Sequence, residues 1–140
     1  MENEFLPYEL AVEMKSIGFD ELCFGYYRNY GTNKFYIGVV HRMPRRFRCT
    51  TAPLYQQAFR WFREKYNLHR RITYYDPIKA QELNHADYQG GIYASSASWF
   101  DGNLYIPHNS YWKLENSPYD TYQEVELECL KKLIEIIKTP

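Results

Sequence analysis

The chain has 140 residues and carries 17 Lys and Arg side chains against 17 Asp and Glu, so its formal net charge is zero. Its 15 Tyr, 8 Phe and 3 Trp argue against a disordered chain, and no apolar run approaches the ~20 residues of a membrane-spanning helix. An acidic start and three widely spaced cysteines, without a Cys-x-x-Cys pair, indicate a cytoplasmic protein with reduced thiols. We expect a single domain over residues 1–140.

The front of the chain predicts one helix followed by short strands. Pro7 suits a first helical turn and Gly18 suits a helix end, which predicts a helix over residues 7–17. Its apolar residues recur at helical spacing: Leu6, Leu10, Met14 and Ile17. Aromatic and β-branched residues then predict strands at 22–28, 34–41 and 46–50, with a turn at 29–31.

The centre and the end of the chain each predict a further helix. Thr51 as the N-cap and Asn67 as the stop predict a helix, because the apolar residues between them recur at helical spacing and the polar residues make up the other face. A strand at 72–75 follows, and Asp101-Gly102 predicts a hairpin turn. Thr121 and Glu124 form a capping-box pattern at the start of the last helix.

These elements indicate an α+β fold. Short strands joined by tight turns favour an antiparallel sheet, which we expect to have about five to seven strands. Three helices, at the N-terminus, the centre and the C-terminus, would pack mainly on one face of that sheet. The segment between Ile72 and Leu114 leaves the strand register open.

Two helical segments carry a resemblance to a family. The strings at 52–66, 119–124 and 128–137, with shorter matches at 17–24, resemble small uncharacterised proteins from gut Bacteroides and their phages and prophages. The resemblance covers roughly 45 residues and leaves the stretch from about 73 to 118 unmatched. It implies an intracellular protein encoded by a phage or mobile element. It implies no activity, so no catalytic residue is transferred.

The zero net charge hides a strongly basic middle segment. Residues 42–71 hold nine basic residues and one acidic residue, whereas both flanking segments are acidic. Eight of the nine are arginines, whose planar guanidinium suits bidentate contact with phosphate or carboxylate. We call this set the arginine-rich face, and its members are Arg42, Arg45, Arg46, Arg48, Arg60, Arg63, Arg70 and Arg71.

Three interpretations of the arginine-rich face stay open from the sequence. The first is a nucleic-acid interface, because Phe47, Tyr55 and Phe59 lie among the arginines as in single-strand binders. The second is a surface for an acidic protein partner. The third is a set of ion pairs with the acidic segments of the same chain. We expect a binding protein of this kind rather than an enzyme.

A second candidate surface is aromatic. Trp99, Tyr105 and Trp112 lie close together in sequence around the expected hairpin. Tyr and Trp are common at binding hot spots, but they also fill half-buried sheet positions. The sequence therefore leaves a recognition surface, a homodimer interface and a plain core as alternatives.

Catalysis is the alternative from a different class. His85, Asp87 and Asp101 supply the residue types of a small metal-dependent hydrolase or nuclease. The chain has no His-Glu-x-x-His, no Gly-rich phosphate loop and no Gly-x-Ser-x-Gly elbow. We expect no cofactor, no bound metal and no membrane association.

Overall fold

A computed structural model describes residues 1–39, 48–75, 92–100, 105–107 and 121–139. The chain divides into two compact units, one made of Met1–Trp61 with Ile134–Pro140 and the other of Phe62–Leu133. The expectation of a single domain stays a prediction. No helix in the described ranges is both long and apolar enough to cross a membrane.

The first unit begins with a short 3-10 turn at Glu2–Glu4 and the helix α1 at Tyr8–Ser16. Pro7 is the N-cap, and Gly18 follows the helix with a φ of 93°, a left-handed conformation that glycine adopts without strain. Leu10 and Met14 are buried on one side of the helix, as their spacing predicts. The prediction of this helix is confirmed to within one residue at each end.

A three-stranded antiparallel sheet follows α1. Its strands are β1 at Gly25–Tyr30, β2 at Thr32–Ile37 and β3 at Cys49–Ala52, in the order β2-β1-β3. The register of β1 and β2 continues to their last pair, Tyr30 opposite Thr32, so Gly31 alone makes the turn with a φ of 71°. The turn predicted at 29–31 is therefore shorter than expected, because strand pairing extends to its first two residues.

The N-terminal segment packs against this sheet. Phe5 contacts Phe35 with ring centroids 5.0 Å apart, and a Cβ added to Gly25 would lie 2.7 Å from the Phe5 ring. The hydroxyl of Tyr27 donates a hydrogen bond of 2.8 Å to the carbonyl oxygen of Leu6. The buried hydroxyl of Tyr27 therefore has a hydrogen-bond partner. Aromatic residues of β1 and β2 thus pack against the N-terminal segment.

The central helix α2 spans Tyr55–Tyr66 and begins later than its sequence predicts. Thr51 pairs with Tyr26 across β1 and β3, so it lies within a strand and the prediction that it caps the helix is wrong. The backbone of Thr51 pairs with β1 in the sheet, so Thr51 does not cap the helix. Asn67 ends the helix as predicted, with a left-handed φ of 53°.

The second unit contains the other sheet. Its strands are β4 at Leu68–Tyr75, β5 at Ile92–Phe100 and β6 at Tyr105–Pro107, antiparallel and in the order β4-β5-β6. β4 starts four residues before the expected strand at 72–75, so Arg70 and Arg71 are strand residues. Arg70 lies opposite Ala97 and Arg71 opposite Ser96.

The last helix, α3, spans Tyr122–Lys138 and begins at the predicted capping box. The Thr121 amide donates to a Glu124 carboxylate oxygen at 3.1 Å, and the Glu124 amide donates to the Thr121 hydroxyl at 3.2 Å. Within the second unit, its buried residues are Val125, Glu126, Cys129, Leu130 and Leu133. Leu127 is only half-buried.

The fold class predicted from the sequence is confirmed in its coarse form. The described ranges hold three helices and antiparallel strands, which is an α+β arrangement. The single sheet of five to seven strands is not found, because these strands form two separate sheets of three strands each. The packing of all three helices on one face stays a prediction.

Candidate functional site

The structure describes the side chains of four members of the arginine-rich face: Arg48, Arg60, Arg63 and Arg70. Arg71 lies in β4, but its side chain is outside the described part of the chain. The remaining members lie outside the described residues altogether, namely Arg42, Arg45 and Arg46. Whether all eight form one surface therefore stays a prediction.

Arg60 lies on the exposed side of α2 and pairs with an acidic residue of the first unit. Its Nη2 atom is 2.9 Å from Oε2 of Glu21, with the two side chains 49% and 27% exposed. Gln57 donates to the same carboxylate oxygen at 3.1 Å and to the Leu22 carbonyl at 2.8 Å. Arg60 and Gln57 thus hold the segment before β1, although an ion pair this exposed contributes only about 0–1 kcal/mol.

Arg70 is the most enclosed of the four arginines. Its Nη1 atom is 3.0 Å from Oε1 of Glu126 and 3.2 Å from the Tyr122 hydroxyl. The Arg70 and Glu126 side chains are 19% and 11% exposed. Burial raises the pKa of Glu126, and the charge and hydrogen bond of Arg70 oppose that rise. Arg70 therefore acts as an internal counter-ion that joins β4 to α3 within the second unit.

Arg63 is exposed near the C-terminal end of α2. Partial burial lowers the pKa of His69, and the positive charge of Arg63 lowers it further. The Nε2 atom of His69 lies 3.1 Å from Oδ1 of Asn67, and Lys65 carries its ammonium 5.7 Å from the Tyr66 ring centroid. This part of the second unit therefore contains two exposed cations, Arg63 and Lys65, and a half-buried tyrosine, Tyr66.

Arg48 is exposed and lies beside the β1–β2 hairpin. Its carbonyl oxygen accepts a hydrogen bond of 3.0 Å from the Asn29 amide, which extends the pairing of β1 and β3 by one residue. Arg28, the next residue back along β1, is opposite Cys49. The backbone therefore brings Arg48 to the end of the sheet where the hairpin turns.

A basic and aromatic group on the hairpin escaped the sequence reasoning. The guanidinium carbon of Arg28 lies 4.6 Å from the Tyr36 ring centroid, and Nζ of Lys34 lies 5.8 Å from it. The Tyr36 ring also stacks on Tyr26, with centroids 5.6 Å apart and an interplanar angle of 16°. The sequence does contain a sign of this group: a tyrosine and a cation stand two residues apart at 26 and 28 and again at 34 and 36, in a stretch without acidic residues. The charge count singled out only residues 42–71, so this group was missed.

The predicted aromatic surface is only partly described. Trp99 lies in β5 opposite Leu68 and Ile106, and Tyr105 lies in β6 opposite Phe100. Their side chains, and all of Trp112, are outside what the structure describes. The backbone therefore places Trp99 and Tyr105 on neighbouring strands, and the surface itself stays a prediction.

The candidate catalytic residues also lie outside the described ranges, since His85 and Asp87 fall within 76–91 and Asp101 falls within 101–104. Within the described ranges, no group of three or more His, Cys, Asp or Glu side chains is placed to hold a metal ion. None of the three cysteines forms a disulfide. Burial raises the pKa of Cys23 to about 11, so this thiol stays protonated at neutral pH and is a poor nucleophile.

Comparison with protein-family models, curated proteins and solved structures finds no match to this chain. The resemblance to small proteins of Bacteroides and their phages therefore stays a prediction.

Proposed function

We propose that this protein binds nucleic acid through its arginine-rich face. The observation that carries the proposal is the exposure of Arg63 and Lys65, two cationic side chains near the C-terminal end of α2 in the second unit. Exposed arginine and lysine side chains are the groups that most often contact the phosphates of a nucleic acid. The proposal includes a phage or mobile-element origin and a cytoplasmic location, both supported by the resemblance of the two helical segments.

The distribution of charge supports a polyanionic partner. Residues 42–71 carry a formal charge of +8, whereas residues 1–41 carry −3 and residues 72–140 carry −5. A positive stretch within a neutral molecule attracts nucleic acid locally without making the whole protein adhere to every anion. Sequence-independent binding of this kind depends on phosphate contacts and weakens steeply with salt.

The two ion pairs divide the arginines by role. Arg70 neutralises Glu126 inside the second unit, so we assign it to stability rather than to binding. Arg60 remains half-exposed beside Glu21 and can still face a ligand. The exposed cations Arg48, Arg63 and Lys65 are the ones we assign to phosphate contact.

The proposal is tested by fluorescence anisotropy with labelled single- and double-stranded DNA and RNA at about 50 and about 200 mM salt. We expect affinity in the micromolar range at the lower salt concentration and a loss of orders of magnitude at the higher one. Arg63→Glu should weaken binding about tenfold or more, because it turns a phosphate contact into a repulsion.

Lys15→Glu is the matched control for this experiment. Lys15 is an exposed residue of α1, outside the arginine-rich segment, and the substitution changes the net charge by the same amount. Equal losses in both variants would mean that only net charge matters and would contradict the assigned face. Absence of binding at the lower salt concentration would overturn the proposal and favour an acidic protein partner.

One observation favours the homodimer alternative. Leu22, Phe24 and Ile37 are large apolar side chains that are more than 60% exposed in the first unit. The Gly38 amide donates to the Phe24 carbonyl at 2.8 Å, so Phe24 lies next to the end of β2 that carries Ile37. Exposed apolar groups of this kind are typical of contact surfaces.

The metal-dependent hydrolase stays a prediction, because its candidate residues lie outside the described ranges.

A further inference from the structure

The β1–β2 hairpin carries a compact basic and aromatic patch that the arginine-rich face does not include. Directly opposite residues of an antiparallel pair share one face of the sheet, and alternate residues along a strand do the same. The register sets Tyr26 opposite Tyr36 and Arg28 opposite Lys34. Arg28, Lys34 and Tyr36 therefore lie on one face, and we call these three residues the hairpin patch.

Tyr26 and the three residues of the hairpin patch form a column that runs from a buried ring to an exposed lysine. Tyr26 is buried with 4% exposure, and the Tyr36 ring stacks on it at 5.6 Å. The cationic groups of Arg28 and Lys34 lie 4.6 and 5.8 Å from the Tyr36 centroid. Lys34 is exposed, whereas Arg28 and Tyr36 are half-buried. Stacking and strand pairing fix the direction of these side chains, so little conformational entropy remains to be lost on binding.

The charge of the surrounding strands is of one sign. Residues 25–39 and 48–54 contain no Asp or Glu, whereas they contain Arg28, Lys34 and Arg48. Arg48 is exposed at the same end of the sheet, beside Asn29. The strands of this sheet therefore complement an anionic ligand and offer no acidic group that would repel it.

We propose that the hairpin patch binds single-stranded nucleic acid. Lys34 contacts a backbone phosphate, and an unpaired base stacks on the guanidinium of Arg28, which the Tyr36 ring supports from beneath. Flat cationic and aromatic groups together are the means by which proteins hold unstacked bases. A duplex cannot use this column, because its bases are already stacked inside the helix. The inference rests on the proposed nucleic-acid function and names the strand form that the protein prefers.

The test uses a labelled oligothymidylate, an oligouridylate and a DNA duplex, each of about 20 residues per strand, measured by anisotropy across a salt series. We expect the wild-type protein to bind both single strands at least tenfold more tightly than the duplex. DNA and RNA single strands should bind alike, because phosphates and base faces are common to both.

Two substitutions separate the charge from the stacking. Lys34→Gln removes one phosphate contact, so it should reduce the slope of log affinity against log salt by about 1. Tyr36→Leu removes the ring without removing a charge, so it should weaken single-strand binding about tenfold with an unchanged slope. Lys15→Gln is the control for charge loss elsewhere on the first unit and should change single-strand affinity less than Lys34→Gln. Circular dichroism checks that each variant is folded, and Lys34→Gln stays informative if Tyr36→Leu does not fold, because Lys34 is exposed.

The outcomes separate this inference from the proposed function. If Arg63→Glu loses binding while Lys34→Gln and Tyr36→Leu bind oligothymidylate as the wild type does, the hairpin patch is overturned and the arginine-rich face stands. If the reverse holds, the hairpin patch is upheld and the role of the arginine-rich face falls. If the wild-type protein binds the duplex as tightly as the single strands, the preference for single strands is wrong.

Discussion

Gly25 shows how one small residue can decide the packing of the first unit. A Cβ at this position would lie 2.7 Å from one carbon of the Phe5 ring and 2.8 Å from a carbon of the Phe35 ring. Both rings would have to move, and they contact each other at 5.0 Å between centroids. Glycine is therefore required here for close approach, and the sequence alone gave no sign of this because a glycine in a strand looks like a weak strand residue.

We predict that Gly25→Ala lowers the free energy of unfolding by about 1–3 kcal/mol, through overpacking against the two rings. Urea unfolding followed by tyrosine and tryptophan fluorescence measures the change. Gly31→Ala is the matched control, because Gly31 has open space around it and only its left-handed backbone is strained by a side chain. A loss at Gly31 larger than that at Gly25 would contradict the steric explanation.

The pair Arg70 and Glu126 makes a second prediction at the scale of residues. Arg70→Met should lower the free energy of unfolding by about 3 kcal/mol at neutral pH, because Glu126 is left buried without its cation. Burial raises the pKa of Glu126 in the folded state, so folding takes up a proton and stability falls as pH rises through the interval between the unfolded and folded pKa values.

This sign predicts the pH dependence of the variant. Without Arg70, protonation of Glu126 removes the uncompensated charge, so the deficit of Arg70→Met should be smaller near pH 4 than near pH 7. Unfolding curves at several pH values test this, and the double variant Arg70→Met with Glu126→Leu should show a smaller deficit that is independent of pH. A deficit that grows toward low pH would contradict the assigned role of Glu126.

At the scale of elements, the helices were predicted well where local chemistry marks their ends. The capping box of Thr121 and Glu124 forms with both reciprocal hydrogen bonds, and Gly18 ends α1. Thr51 failed as a cap because its backbone joins a strand, which depends on β1, a segment more than 20 residues away. Long-range pairing of this kind leaves no local signal, so the start of α2 could not be read from the sequence around it.

The capping box gives a prediction for the last helix. Thr121→Ala should lower the free energy of unfolding by about 1 kcal/mol, because the Glu124 amide loses its acceptor. Thr139→Ala is the control, since Thr139 is an exposed threonine just past the C-terminal end of α3 and should change stability by less than 0.5 kcal/mol. Thermal unfolding by circular dichroism compares the two variants, and equal losses would show that the box does not stabilise α3.

At the scale of the whole molecule, the sequence predicted the α+β class and the three helices found in the described ranges, but not the division of their strands between two sheets. The switch from one expected sheet to two depends on which strands pair, as with β4 and β5, whose partners lie more than 15 residues apart in sequence. For the candidate site, counting charges located exposed arginines on α2, but it could not tell them from Arg70, whose partner Glu126 lies 56 residues away. The charge count also missed the hairpin patch, because Arg28 and Lys34 become neighbours only when β1 and β2 pair across the turn.

The different exposure of the three cysteines has a practical consequence for experiments on the intact protein. Cys23 and Cys129 are buried, whereas Cys49 is half-exposed and lies opposite Arg28 in the first sheet. A thiol-specific fluorophore should therefore modify Cys49 faster than the other two cysteines. The chain thus carries its own attachment point for a dye beside the hairpin, and an environment-sensitive label at Cys49 would report a ligand arriving there without any engineered residue.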